Sequence, residues 1–98
     1  MKKTRFIQEY SFDRFDELCD FVREHKGKCD VRYRGTLVFF NEDMDCMWLD
    51  DRHPYITFGT SGARGFRMDS GNNKLYDVKI ENLGIDIADF RAELTIEQ

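Results

Sequence analysis

Long apolar runs are missing from this sequence. No 18-residue apolar stretch occurs, which excludes a helix crossing a bilayer. Cysteine is scarce and irregular. Cys19, Cys29 and Cys46 are odd in number and widely spaced, with no C-x-x-C, so neither a zinc knuckle nor a thioredoxin-like motif is indicated. Buried free thiols are the expectation for all three. Histidine is limited to His25 and His53, which leaves few acid–base options. No Gly-Lys-Ser/Thr closes a phosphate loop, and no G-x-G-x-x-G opens a helix. Internal repeats and low-complexity tracts are missing too.

What is present is bulk and charge. The 98 residues predict one domain spanning 1–98. Apolar residues make up 41% of the chain, with nine Phe, four Tyr and one Trp, enough to bury a core and too aromatic for a disordered chain. Net charge is −4 and uneven. Residues 1–34 carry nine cationic against seven anionic side chains. Residues 35–62 carry only Arg52 against Glu42, Asp43, Asp45, Asp50 and Asp51. A general nucleic-acid binder needs a basic footprint, so this balance argues against one. The basic start Met1–Arg5 runs into Phe6-Ile7-Gln8-Glu9, too polar for a signal peptide. The expected location is therefore the cytoplasm, with no membrane partner.

The hydrophobic rhythm changes at Gly27. Before it, Phe12, Phe15, Leu18, Cys19 and Val22 recur at helical spacing and predict a helix over 11–26. Ser11 is its expected N-cap, Tyr10 and Phe15 flank it as a staple, and Gly27 is its C-cap. After it, Cys29, Val31 and Tyr33 alternate with Asp30, Arg32 and Arg34, as in a half-buried strand. Arg34-Gly35 reads as a two-residue hairpin turn, with a bulge as the alternative. Thr36 to Phe40, apolar on both faces, reads as a central strand. Short strands are predicted at 4–10, 45–49, 55–58, 66–68 and 75–82. Residues 59–65 read as a glycine-rich loop. From Ile87 to Leu94 a short helix competes with a strand, and the helix is preferred. The predicted fold is α+β: an N-terminal amphipathic helix packed on a mainly antiparallel sheet of five or six strands, closed by a short C-terminal helix.

Four groups of residues invite a functional reading. The segment Glu42, Asp43, Met44, Asp45, Met47, Trp48, Asp50 and Asp51 combines carboxylates with the residue types that anchor interfaces. Its carboxylates lack the glycine and distal glutamate of an EF-hand. No recognisable spacing joins Cys46, Asp51 and His53, so neither metal nor cofactor is expected. Lys28, Arg32, Arg34, Arg64 and Arg67 are the candidate nucleic-acid contacts. Arg64-Gly65-Phe66 is similar to the opening of the RNA-recognition-motif signature, but Arg67 and Met68 stand where its next aromatics belong, so the family is not assigned. The 59–65 loop, with Arg64, is the candidate phosphate cradle of a small-ligand or enzymatic domain. A dyad of Cys29 or Cys46 with His25 or His53 lacks any recognisable nucleophile context.

The expected function is a non-catalytic protein-binding module, an inhibitor or adaptor of a cellular protein of the kind mobile elements use against host defences. It would dock through the acidic, aromatic and Met-containing segment on another protein, one that itself handles nucleic acid. A homodimer is expected as well if an apolar edge strand is left uncovered.

Overall fold

The change of rhythm at Gly27 falls in the turn between the α-helix, which ends at Glu24 with His25 rather than Gly27 as its C-cap, and the sheet that follows. A computed structural model describes residues 4–49, 54–59, 62–68, 71–72 and 74–97. The strands are β1 (Arg5–Tyr10), β2 (Cys29–Tyr33), β3 (Thr36–Leu37), β4 (Phe39–Phe40) and β5 (Cys46–Trp48). They continue with β6 (Pro54–Gly59), β7 (Gly62–Met68), β8 (Leu75–Val78) and β9 (Phe90–Glu97). The helix α1 covers Phe15–Glu24, and 3₁₀ turns lie at Ile80–Asn82 and Ile87–Asp89.

The chain is thus mostly β, which corrects the expectation of one helix on a single sheet. Two antiparallel sheets form, ordered β1-β9-β2-β3 and β4-β5-β6-β7-β8. The first sheet is made from the two ends of the described chain. The second is a meander inserted between them. The reason lies at Val38. The stretch 36–40, apolar on both faces, is not one central strand but two edge strands, one in each sheet. Val38 is the corner between them. It is buried, and its N–H donates to the Val31 carbonyl at 3.0 Å, which holds the turn-off against the first sheet.

Arg34-Gly35 is the two-residue turn of the β2–β3 hairpin, with Tyr33 opposite Thr36. Both turn residues have positive φ, 50° and 83°, the condition that matches the right-handed twist of hairpin strands. Arg34 is held there by its backbone N–H to the Asp89 carbonyl and its guanidinium to the Asp89 carboxylate.

The C-terminal expectation is corrected in favour of the strand. Asp86 does cap, its carboxylate accepting from the Ala88 N–H at 3.0 Å, but only a 3₁₀ turn follows. Phe90, Ala92 and Leu94 then face Tyr33, Val31 and Cys29 across β2. Pairing on both sides by β1 and β2 outweighs a short helical stripe. The helix is shorter than expected as well. Its N-cap is Arg14 rather than Ser11, with no side-chain capping bond.

One core joins the layers. Leu18, Cys19 and Val22 of α1 pack with Val31, Phe90 and Ala92 of the first sheet and with Met47, Ile56 and Phe58 of the second. Phe15 stacks edge-on to Phe90, with centroids 5.3 Å apart. At the other side, Asp16 accepts from the Ala63 N–H and Arg23 from α1 bonds the Gly59 carbonyl. The helix therefore spans the mouth between the sheets. The molecule is elongated, 56 × 26 × 24 Å. Its radius of gyration of 14.5 Å exceeds the about 13 Å usual for about 100 residues.

Candidate functional site

Alternation decides which side chains of the second sheet meet the core and which are left outside. Met47, Ile56 and Phe58 point inward and are buried. Their neighbours in sequence must then lie on the outer face. The register places Phe39 opposite Trp48, Trp48 opposite Tyr55, Tyr55 opposite Phe66, and Phe66 opposite Asp77. Four aromatic rings therefore form one row across four strands on the outer face. Phe39 and Trp48 stack at 6.1 Å with planes 16° apart, and Trp48 meets Tyr55 at 6.1 Å. Phe39, at the sheet edge, is 55% exposed. Met68 and Leu75 extend the apolar area on the same face and are exposed as well.

The row is flanked by charge of unequal sign. Arg64 lies over the Phe66 ring, 5.7 Å from its centroid, and is ion-paired with Asp77. At the opposite end the β4–β5 connection carries Glu42, Asp43 and Asp45, all exposed. Asn41 shapes this turn. Its side-chain oxygen accepts from the Asp45 and Cys46 N–H groups at 3.0 and 2.9 Å, and its carbonyl accepts from the Met44 N–H. The carboxylates are thus presented on a braced turn between the strands that carry Phe39 and Trp48. Asp45 shares a shallow recess with Arg23 and Lys26, so Glu42 and Asp43 hold the outermost negative charge.

The expected docking segment is divided by the structure. Trp48 joins the aromatic row, and Glu42 and Asp43 lie on the turn between the strands of Phe39 and Trp48, whereas Asp45 lies on the helix side with Arg23 and Lys26. Met47 does not belong. It is wholly buried in the core. Met44 turns back to accept the Gly27 N–H at its sulfur, 3.2 Å away, and packs on the core. Asp50 and Asp51 lie outside the described residues, as does His53. Phe39, Tyr55 and Phe66 were missed as site residues. The signal was their alternation with Phe40, Ile56 and Gly65, legible only once the strand register was known.

The expected basic set is not gathered. Arg32 lies on the outer face of the first sheet and bonds Glu93 at 2.8 Å. Arg34 pairs with Asp89, whose hydrogen bond holds its guanidinium pKa above the usual value. Arg67 donates to the Leu83 carbonyl at 3.0 Å. Lys28 sits in the turn before β2, and only Arg64 reaches the aromatic face.

The described residues of 59–65 are strand residues rather than a glycine-rich loop. Gly59 pairs with Gly62, and Gly62 to Gly65 are strand residues of the β6–β7 ladder. Thr60 and Ser61 lie outside the described residues. Gly65 is required for space: a Cβ there would lie 2.7 Å from both the Val78 carbonyl and a Leu83 methyl. Its role is close packing under the 80–83 turn.

Cys19 and Cys29 are buried, and burial pushes both thiols above their ordinary value. A thiol kept neutral is a weak nucleophile. His25 lies against Phe21, with ring centroids 4.5 Å apart. Among the described residues no three His, Cys, Asp or Glu side chains cluster as metal ligands, and no helix is long and apolar enough to cross a membrane. The chain matches no family model, and neither the curated proteins nor the solved structures hold a significant match to it.

Proposed function

We propose that this protein is a protein-binding module whose docking surface is the outer face of the second sheet. The observation that carries the reading is the aromatic row Phe39, Trp48, Tyr55 and Phe66. Four rings in register on an open sheet face are an unusual use of side chains that would otherwise fill a core. Trp and Tyr anchor interfaces because they bury large area with little loss of rotamer freedom. The exposed Glu42 and Asp43 set the partner's character: an apolar groove with a basic rim, drawn into register by charge. Three free thiols, two of them in the core, support a reducing compartment such as the cytoplasm for the encounter.

A stacking face of this kind also suits single-stranded nucleic acid, which lays bases on aromatic rings beside cations. Charge favours a protein partner. Among the described residues, Arg64 is the cation that stacks on the row, and its ion pair with Asp77 offsets its charge. The acidic turn at the other end repels phosphates.

A photo-crosslinking residue at position 39 of the full chain tests the reading in the cell. The expected product is a protein adduct that weakens when Glu42 and Asp43 are reversed to Lys. A nucleic-acid adduct would replace this reading with the stacking one. An adduct that forms equally well from position 32, on the first sheet, would rule out the aromatic face as the docking surface.

A further inference from the structure

We infer that the protein forms a two-fold dimer in which the free edge of β1 pairs with β1 of a second copy. Strand β1 ends the first sheet, hydrogen-bonded on one side to β9. Among the described residues no backbone hydrogen bond reaches its other side. The other rim of that sheet, β3, is two residues long, but β1 is six. It contains no proline, no bulge and no lysine, its residues are exposed up to Tyr10, and its two charges, Arg5 and Glu9, are of opposite sign and so do not repel a second copy in every register. Ile7 stands on its outer face at 63% exposure.

Symmetry then limits the register. Two identical antiparallel strands related by a two-fold axis normal to the sheet keep their faces, and one residue must lie opposite its own copy. Centring on Phe6 sets Arg5 against Ile7. Centring on Gln8 sets Ile7 against Glu9. Centring on Ile7 sets Arg5 against Glu9 twice and Ile7 against itself, all on the outer face. On the outer face of Arg5–Tyr10, only the last of these three joins charge to opposite charge and apolar to apolar; on the inner face it sets Phe6 against Gln8. It also brings Glu9 a second cation. Within one chain Glu9 sits directly across from Glu93, with the Arg91 guanidinium 3.8 Å away. Arg5 of the second copy, whose guanidinium also bonds Glu97 of its own chain at 2.9 Å, approaches from the open side. The product is a continuous eight-stranded sheet that leaves the aromatic face of the other sheet free.

Size-exclusion chromatography with light scattering on the full chain tests this. The expected mass is twice 11.7 kDa, falling to one copy on dilution. The variants Arg5→Glu and Glu9→Arg each place like charges opposite one another at two positions, and each should weaken the dimer about tenfold or more. Mixing the two variants restores opposite charges at all four positions, so the mixed dimer should recover the wild-type mass. Circular dichroism confirms that each variant is folded. Should either fail to fold, Ile7→Lys, at an exposed position, serves instead and should be monomeric. A wild-type chain that is monomeric at every concentration overturns the inference. So does a dimer that withstands these substitutions, or a mixture of folded variants that stays monomeric.

Discussion

Gly35 and Gly65 are both glycines in sheet structure, but for unrelated reasons. Gly35 needs its positive φ, and a Cβ added there would meet no atom within 4 Å, whereas Gly65 needs empty space. Gly35→Ala should therefore cost about 1 kcal/mol of backbone strain, and Gly35→Asn distinctly less, since Asn tolerates that region. Gly65→Ala should cost about 1–3 kcal/mol by overpacking, and Gly65→Asn more still. Denaturant unfolding of the four variants checks the opposite ordering of Ala and Asn at the two sites. The thiols separate by exposure. Cys46, half-buried on the outer face of the second sheet, should react with a maleimide in the native protein, while Cys19 and Cys29 react only on unfolding. Burial raises all three thiols above the ordinary 9.0, so the unfolded chain ionises first. Stability should hold below that pH and fall as pH rises above it. Urea midpoints measured from neutral pH to about pH 10 read this directly. That Cys19 and Cys29 are interior was legible from residue type. That Gly65 serves packing was not, because a glycine run carries no mark of the strand that crosses it.

Helix α1 begins without a proper cap. Arg14 has the extended φ and ψ of an N-cap, −141° and 151°, but no side-chain acceptor. Arg14→Ser supplies one and should stabilise by about 1 kcal/mol, at the loss of a weak exposed contact to Glu17. For a domain of this size the melting midpoint should rise by about 4–8 °C. A midpoint that falls would place the helix start elsewhere. The helix and the β2–β3 hairpin were readable because their signals are local: an apolar stripe, a period-two run, a glycine at the turn. The 87–94 segment was not. Phe90, Ala92 and Leu94 satisfy both periods, and only the place open between β1 and β2 selects the strand. The 36–40 run was misread for the same reason, since nothing local marks Val38 as a corner between two sheets.

For the molecule as a whole, the second sheet turns one face to a shared core and leaves the other open. Its inner side is closed by α1 and the first sheet. Its outer side carries the four aromatic rings and meets no layer of the fold among the described residues. The acidic rim was legible as composition. The row was not, because it is assembled from β4, β5, β6 and β7 by register alone. The most direct test uses Trp48, the only tryptophan of the chain and a member of the row. Its fluorescence should be open to acrylamide quenching in the protein alone and shielded in complex with the protein that crosslinks at position 39. Shielding on binding agrees with docking over the aromatic row; quenching that is the same in the free protein and the complex contradicts it.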